Sequence, residues 1–535
     1  MSTTALSVEA ALSRYASPDT CAAELLCDAQ DPTAVAFSII ESDLSCEDIT
    51  YGQLRERSER GAAVLAGLGV GPGDAVATLM GKSADLVVML LAIWRRGAVH
   101  VPLFTAFAWP AIEMRLKASE AKVVIVDADQ REKIQDIDAD VVVSGGTGRT
   151  NDLALAPLLA AQQPGIKAEA LGGDGTLVLL FTSGTTGTPK GVRVPIKALA
   201  GFHHYMEFGL DVRNDDVFWN AADPGWAYGL YYGILGPLAA GKRSLLLHAG
   251  FSPELSFAVI ERFKVTNFAA APTVYRAMRL GSAPGGTQQK LRRATSCGEP
   301  LTPEVSAWAG VALGVPVRDH FGQTEHGMVI ANAWHPVIRD ELRPGSMGRP
   351  LPGWSCTVLQ TTGDEPAPPG VVGRVAVDTT ASPFMWFTEY KDASERTAER
   401  FSEDGRWFLT GDAGMVDEGG FYFFSSRDDD VIIMAGYRIG PFDVESVLST
   451  HPAIHESAVI GAPDELRGEV LEAYVVLQEG ITGDDALTLE LQKLVKTEFA
   501  AHAYPRRIHF VDDLPKTPSG KIQRYVLRQR RAAGQ

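Results

Sequence analysis

The chain has 535 residues, 45% of them hydrophobic, 8% aromatic and 21% charged, which is enough apolar content for more than one core and no sign of disorder. Its 49 Lys and Arg against 66 Asp and Glu leave a net charge of −17, which repels phosphate backbones and sets nucleic acid aside as a partner. Cys21, Cys27, Cys46, Cys297 and Cys356 include no Cys-x-x-Cys pair, so neither a zinc knuckle nor a redox dithiol is indicated, and their small odd number suits a reducing compartment. The amino terminus lacks a charged-then-apolar leader pattern. The longest apolar helical run, about Ala84 to Trp94, is too short for a bilayer, so the expectation is a cytoplasmic protein with no membrane partner.

In chain order, Tyr51 to Leu68 carries apolar residues at helical spacing, with Thr50 as its N-cap. A Gly-Pro-Gly turn follows. Ala75 to Met80 then reads as a strand, Ser83 to Arg95 as a helix, Val99 to Leu103 as a strand and Ala121 to Val126 as a buried strand. This alternation predicts a parallel sheet flanked by helices. A strand over Thr176 to Phe181 leads into a polar loop. Later β-rich stretches at Trp354 to Leu359, Gly373 to Val377 and Phe421 to Phe424 are separated by turn signals. From Val431 a smaller mixed unit begins, with helices over Phe442 to Leu448 and Leu487 to Phe499. The three aspartates 428–430 beside Arg427 predict an exposed joint.

The polar loop Thr182-Ser183-Gly184-Thr185-Thr186-Gly187-Thr188-Pro189-Lys190 combines hydroxyl donors, two glycines and a cation. Glycines let backbone N–H groups close into an anion nest, and a strand that delivers the loop to a sheet edge suits a polyphosphate. A polar linker is the plain alternative. The loop lacks Walker A spacing. Gly236 to Lys242 has that spacing, but Arg243 replaces the hydroxyl that would meet magnesium, and Pro237 with two alanines suggests a helix end.

The string from Leu179 to Val192 resembles the signature of the acyl-adenylate-forming superfamily, which includes acyl-CoA synthetases, peptide-synthetase adenylation domains and luciferases. Further segments resemble that family in order. Ala294 to Leu301 is similar to its adenine segment, Phe321-Gly322-Gln323-Thr324-Glu325 to its Tyr-Gly-x-Thr-Glu motif, and Trp407 to Gly414 to its ribose segment. Ser426 to Asp430 with Gly436 to Ile439 resembles the hinge, and Pro515 to Lys521 the carboxyl-terminal lysine motif. The resemblance covers about Ile49 to Arg524.

It implies an α/β fold. A large N-terminal domain, 1–428, would hold parallel sheets with flanking helices and a β-barrel-like subdomain; a small mobile α+β domain, 429–535, would carry the catalytic lysine. It implies an AMP-forming acid–CoA ligase using ATP, CoA and Mg2+. Thr182, Ser183, Gly184, Thr185, Thr186, Gly187 and Lys190 would embrace phosphates, with Thr185 and Glu325 at the metal. Thr324 would lie beside the α-phosphate, and Lys521 would bridge carboxylate and phosphate. Gly298, Glu299, Pro300 and Gln323 would meet the nucleotide. Asp412 would take the ribose hydroxyls, with an Asx turn as its alternative role, and Arg427 the ribose or a phosphate. Asp429 would be the pivot, and Gly436 and Arg438 would face the CoA thiol arm. His203 and His204 are thiol-side candidates, with packing as the commoner role.

The stretch Ala222 to Gly229 resembles the Asp-x-Gly-Trp segment of short- and medium-chain acyl-CoA synthetases. Trp226, Ala227, Tyr228 and Gly322 would then shape the acyl pocket, with a core role for Trp226 as the alternative. Gly322 stands where the acetate-using branch has Trp, and would open space for a longer acid. Rival readings are a carrier-protein thiol as acceptor, an aromatic-acid CoA ligase, a non-catalytic homologue and a P-loop phosphohydrolase. The expected partners are small molecules, with the chain acting as a monomer or homodimer.

Overall fold

The structure is a computed structural model that describes residues 6–182, 189–281, 291–427, 430–434, 437–464, 468–500, 503–517 and 521–533. The expected early elements form. The helix Tyr51–Gly67 starts at Thr50 with a full capping box, Thr50 and Gln53 each satisfying the other's backbone N–H. The strand Ala75–Leu79 and the helix Ala84–Arg95 follow, the latter capped by the Ser83 hydroxyl. That helix is buried from Leu86 to Arg95, as its unbroken apolar run requires, and Arg95 is neutralised by Asp28 at 2.7 Å.

Two large sheets organise the first part. One centres on Val35–Glu41, Ser244–His248, Phe218–Asn220, Asn267–Ala270, Arg293–Cys297 and Arg318–Gln323, all parallel neighbours. The other places Ala75–Leu79 between Val99–Pro102 and Val123–Asp127, with Asp140–Ser144 beyond and Thr176–Thr182 beside Val99–Pro102. The barrel-like part is a set of antiparallel strands, Cys356–Leu359, Gly373–Asp378, Trp407–Val416 and Tyr422–Arg427. They run on into the first sheet through Ser346–Pro350.

The small carboxyl-terminal domain packs Pro441–Leu448 and Asp485–Glu498 against a sheet built on the long hairpin Ile454–Asp464 and Gly468–Leu477. Its own core includes Val444, Leu448, Val459, Leu471, Leu491 and Val495. At the joint, Asp430 is less exposed than expected. Asp428 and Asp429 lie outside the described residues, but Asp430 is corrected: Arg528 at 2.8 Å and Arg524 at 3.4 Å hold its half-buried carboxylate.

Candidate functional site

The crevice lies where parallel strands of both sheets end, the usual ligand position in such sheets. Thr182, Cys297 and Gln323 each close one such strand. Strands Trp407–Val416 and Tyr422–Arg427 bring Asp412 opposite Arg427. Asp412 Oδ1 accepts from Arg427 Nη1 at 2.8 Å, and Oδ2 from Gln323 Nε2 at 2.5 Å. Gln323 Nε2 also donates to the Thr410 carbonyl at 2.8 Å. Residues from three strands thus meet at the buried Asp412 carboxylate. Burial pushes the Asp412 carboxyl up, and Arg427, then Arg400, pull it back. The Asx-turn alternative does not hold, because the Asp412 N–H donates to the Thr410 hydroxyl at 3.2 Å and the carboxylate is used elsewhere. Gln323 Oε1 is buried with no partner among the described residues. A nucleoside hydroxyl or amine would supply the missing donor.

The phosphate side begins at the hairpin of Thr176–Thr182 and Lys190–Pro195, where Thr182 pairs with Lys190. Residues 183–188, and with them Ser183, Gly184, Thr185, Thr186 and Gly187, lie outside the described residues. The short strand Tyr390–Lys391 pairs with the outer edge of this hairpin. It places the Tyr390 ring 5.0 Å from Lys190 Nζ. The Tyr390 hydroxyl donates to Glu325 Oε1 at 2.6 Å, and Tyr390 in turn accepts from Arg400 Nε at 3.1 Å. Glu325 is 5% exposed, and among the described contacts its Oε2 keeps its lone pairs. A buried carboxylate with one oxygen committed fits magnesium, a hard cation that takes one or two carboxylates beside substrate phosphates. The Thr324 carbonyl accepts from Tyr231 at 3.0 Å, which fixes the turn that presents Glu325.

After Cys297 the chain turns at Gly298, whose φ of +92° suits glycine. Glu299 is taken by the Thr273 hydroxyl at 2.9 Å and by Arg276 at 2.7 Å, so its carboxylate stiffens the segment that leads to Pro300. Lys521 comes from the other end of the chain. Its N–H donates to Thr517 Oγ1 at 3.0 Å, and the Thr517 N–H returns to the Lys521 carbonyl at 2.8 Å. Its charge acts on Cys297: burial and then Asp319 push that thiol up, while the Lys521 ammonium pulls it down. The lysine therefore lies within electrostatic reach of the end of the strand Arg293–Cys297.

On the acyl side, Tyr228 lies near the Cys297 thiol and 3.3 Å from the Tyr205 hydroxyl, which contacts His320 Nδ1 at 2.8 Å. Ala227 opens the short helix Ala227–Leu230 beside it. Trp226 packs on Phe104 and Phe107, with ring centroids 5.3 and 5.5 Å away, so it joins the loop of the second sheet to the first. Its core role is real. The reading of Gly322 as a space-opener is corrected. A Cβ there would meet the Gly327 carbonyl oxygen at 2.2 Å and Met328 Cα at 2.7 Å, at a bulge between the paired strands. The missing side chain first serves that close backbone approach.

A family model described as AMP-binding enzyme matches residues 28–382, and one described as AMP-binding enzyme C-terminal domain matches 443–521. The chain belongs to the AMP-binding enzyme family. Its relatives include an acetyl-coenzyme A synthetase of Bacillus subtilis, 37% identical over 90% of this chain and 85% of the relative. A human mitochondrial acyl-coenzyme A synthetase, ACSM4, is 32% identical over 91% of this chain and 84% of its own length. An acyl-CoA synthetase structure from Brucella canis is similar at TM-score 0.77 and 39% identity, covering 98% of this chain and 97% of its own. An anthranilate CoA ligase in complex with anthranoyl-AMP matches at TM-score 0.87 and 28% identity, over 97% of this chain and 99% of its own.

Within this AMP-binding fold, Asp429 and Gly436 lie outside the described residues, and Arg438 is described only as backbone in the strand Tyr437–Ile439. His203 is a packing residue, its Nδ1 2.8 Å from the buried Tyr15 hydroxyl, and His204 packs on Phe208 and Phe384. The Walker-like decoy is a helix, Gly236–Ala240, ended by Gly241 in the left-handed region. Motif reading passed over Tyr390, Arg400 and Cys297. Cys297 sits inside the adenine segment and carried its own signal. Tyr390 and Arg400 fall between motifs, where only a two-residue strand and a one-turn helix exist.

Proposed function

We propose that the chain is an ATP-dependent carboxylate–CoA ligase for short- to medium-chain acids, with domains 1–428 and 429–535. The carboxylate oxygen forms a bond to the α-phosphorus of ATP. The bond from that phosphorus to the bridging oxygen breaks, and pyrophosphate leaves with the electron pair. The thiol of CoA then attacks the acyl carbon, and AMP leaves. The observation that carries this reading is the convergence of Gln323, Asp412 and Arg427 on one side of Glu325, with Lys521 near Cys297.

In this reading Asp412 takes the ribose hydroxyls, Gly298 to Pro300 flank the adenine, and Thr324 lies beside the α-phosphate. Lys521 bridges the two anions that must meet, lowering their repulsion. Glu325, with Thr185 from the phosphate loop, would hold Mg2+, which supplies Lewis-acid neutralisation of phosphate charge when bound. Tyr228 and Ala227 bound the acyl group. Gly436 and Arg438 face the thiol arm after rotation about Asp429. Five free cysteines support a reducing, cytoplasmic setting. Among the described residues no helix is long and apolar enough to cross a membrane.

The test is a panel of acids with ATP and magnesium, with and without CoA, read as pyrophosphate and AMP. The reading expects pyrophosphate with straight-chain acids and AMP release that depends on CoA. No pyrophosphate with any acid contradicts adenylation. Pyrophosphate without CoA-dependent AMP release points to a carrier-protein thiol instead.

A further inference from the structure

Arg400 stands in a place that its local fold does not explain. It follows the short helix Ser394–Ala398 and turns back over the strand Trp407–Val416. Its Nε donates to the Tyr390 hydroxyl at 3.1 Å and its Nη1 to the Leu409 carbonyl at 3.3 Å. The guanidinium lies across Gly411, where a Cβ would come within 2.5 Å of Nη1. Gly411 also has φ +70°, so the turn before Asp412 is shaped for a glycine and for this arginine together.

Lys190 stands over the Tyr390 ring, with Nζ 5.0 Å from the ring centroid. One tyrosine therefore contacts two cations and also donates to Glu325 Oε1. The lysine and arginine act on one another: the Lys190 pKa is lowered by burial first, then by Arg400 and Arg396, with Glu399 and Glu325 opposing. Among the described residues neither Lys190 nor Arg400 is in an ion pair, although most arginines of this chain are. The carboxylates around these two half-buried cations are already taken, Glu325 by Tyr390, Asp412 by Arg427 and Gln323, and Glu399 by Arg396. Such a site is completed by a multiply charged anion, and a guanidinium fixed by two other contacts is preorganised for it.

We propose that Arg400, set in place by Tyr390, Leu409 and the bare Gly411, is a second cation beside Lys190 for the β- and γ-phosphates of ATP and for the departing pyrophosphate. This rests on the adenylation reading and adds a residue to it. Tyr390 is then a positioning residue. It aims Arg400 with its hydroxyl oxygen and Glu325 with its hydroxyl proton, so that metal ligand and phosphate cation move as one unit. The α-phosphate and ribose belong to Thr324 and Asp412, so a ligand that ends at the α-phosphate escapes Arg400.

The experiment is equilibrium binding of ATP, pyrophosphate and AMP, each with magnesium and without acid, to the full chain, Arg400→Met and Arg400→Lys. Loss of one charge-assisted contact is worth about tenfold or more. Arg400→Met is expected to weaken ATP and pyrophosphate by about tenfold or more while AMP changes less than about threefold, with Arg400→Lys in between. Equal weakening of AMP and ATP would mean that Arg400 only braces the Asp412 turn, and unchanged ATP binding would mean that it meets no phosphate; either overturns the proposal. Should Arg400→Met not fold, Tyr390→Phe removes one hydroxyl and keeps the ring. It is expected to show the same selectivity at about threefold, and AMP lost as much as ATP would again overturn it. A wild-type chain that makes no pyrophosphate with any acid defeats the adenylation reading. A wild-type chain that does, with a variant ratio of ATP to AMP affinity unchanged, defeats only this inference.

Discussion

Lys521 is the residue whose replacement is expected to separate the two proposed half-reactions. Its ammonium is close enough to act on the Cys297 thiol. Lys521→Ala is expected to lower adenylation by more than about a hundredfold while thioester formation from supplied acyl-AMP stays within about threefold. Single-turnover measurements of each step check this; equal loss in both would contradict separate faces for the two steps. Asp319 gives a pH prediction. Burial raises its carboxyl to about 7, with the Ser296 hydroxyl at 2.8 Å opposing. The folded form therefore keeps a proton that the unfolded form releases near pH 4. The proton's stabilising effect is greatest below that value and is lost as pH rises toward 7. Urea midpoints from pH 5 to 8 should fall more steeply in the wild type than in Asp319→Asn, and parallel slopes would refute this. At this scale Gln323, Asp412 and Arg427 were legible, because each stands in a contiguous motif. Gly322 was misread because the direction of a side chain there depends on a bulge that pairing with Gly327 creates. Tyr390 and Arg400 were invisible because their meaning lies in contacts with Glu325 and Gly411, not in any local pattern.

Elements are held by caps and turns that the sequence spells out. Ser83 accepts from Leu86 N–H at 3.2 Å and starts the buried helix Ala84–Arg95. Ser83→Ala should cost about 1 kcal/mol of unfolding free energy with little change in the activity of the folded enzyme. Denaturant titration checks this, and a loss under about 0.3 kcal/mol would contradict the cap. Gly411→Ala is the contrasting case. Positive φ costs about 1 kcal/mol or more for a residue with a Cβ, and the new methyl must push Arg400 aside. It should therefore weaken ATP more than AMP, and equal effects on both nucleotides would remove Arg400 from the explanation. The helices Tyr51–Gly67 and Ala84–Arg95 and the strands Ala75–Leu79, Val99–Pro102 and Val123–Asp127 were legible from periodicity within about two residues, whereas Val8–Tyr15, Val35–Glu41, Cys46–Thr50 and Trp109–Ser119 were not read. Sheet order was not, because Val35–Glu41 lies beside Ser244–His248, two hundred residues on, and no local pattern encodes that pairing.

Among the described residues, the stretches before and after the joint at 428–430 meet at named side chains. Phe424 meets Phe442 at 5.9 Å, Ser425 donates to Asp443 at 2.9 Å, and Ser449 reaches Glu304 at 3.4 Å. Protease cutting near Asp429 is expected to fall when ATP and acid are bound, and unchanged cutting would count against a hinge there. The residues from Ile432 on have a core cluster of their own, apart from the large one that holds most of the earlier buried residues. The exposure of Asp430 was overstated because its partners, Arg524 and Arg528, lie nearly a hundred residues away.

The central claim is that an acyl-AMP forms in the cluster of Gln323, Asp412 and Arg427 beside Glu325. Rapid quenching of the enzyme with ATP, magnesium and a straight-chain acid, followed by mass spectrometry, measures that intermediate directly. The account predicts acyl-AMP bound in near-stoichiometric amount without CoA, vanishing within one turnover when CoA is added. ATP consumed to ADP, or no adenylate with any acid, would contradict it.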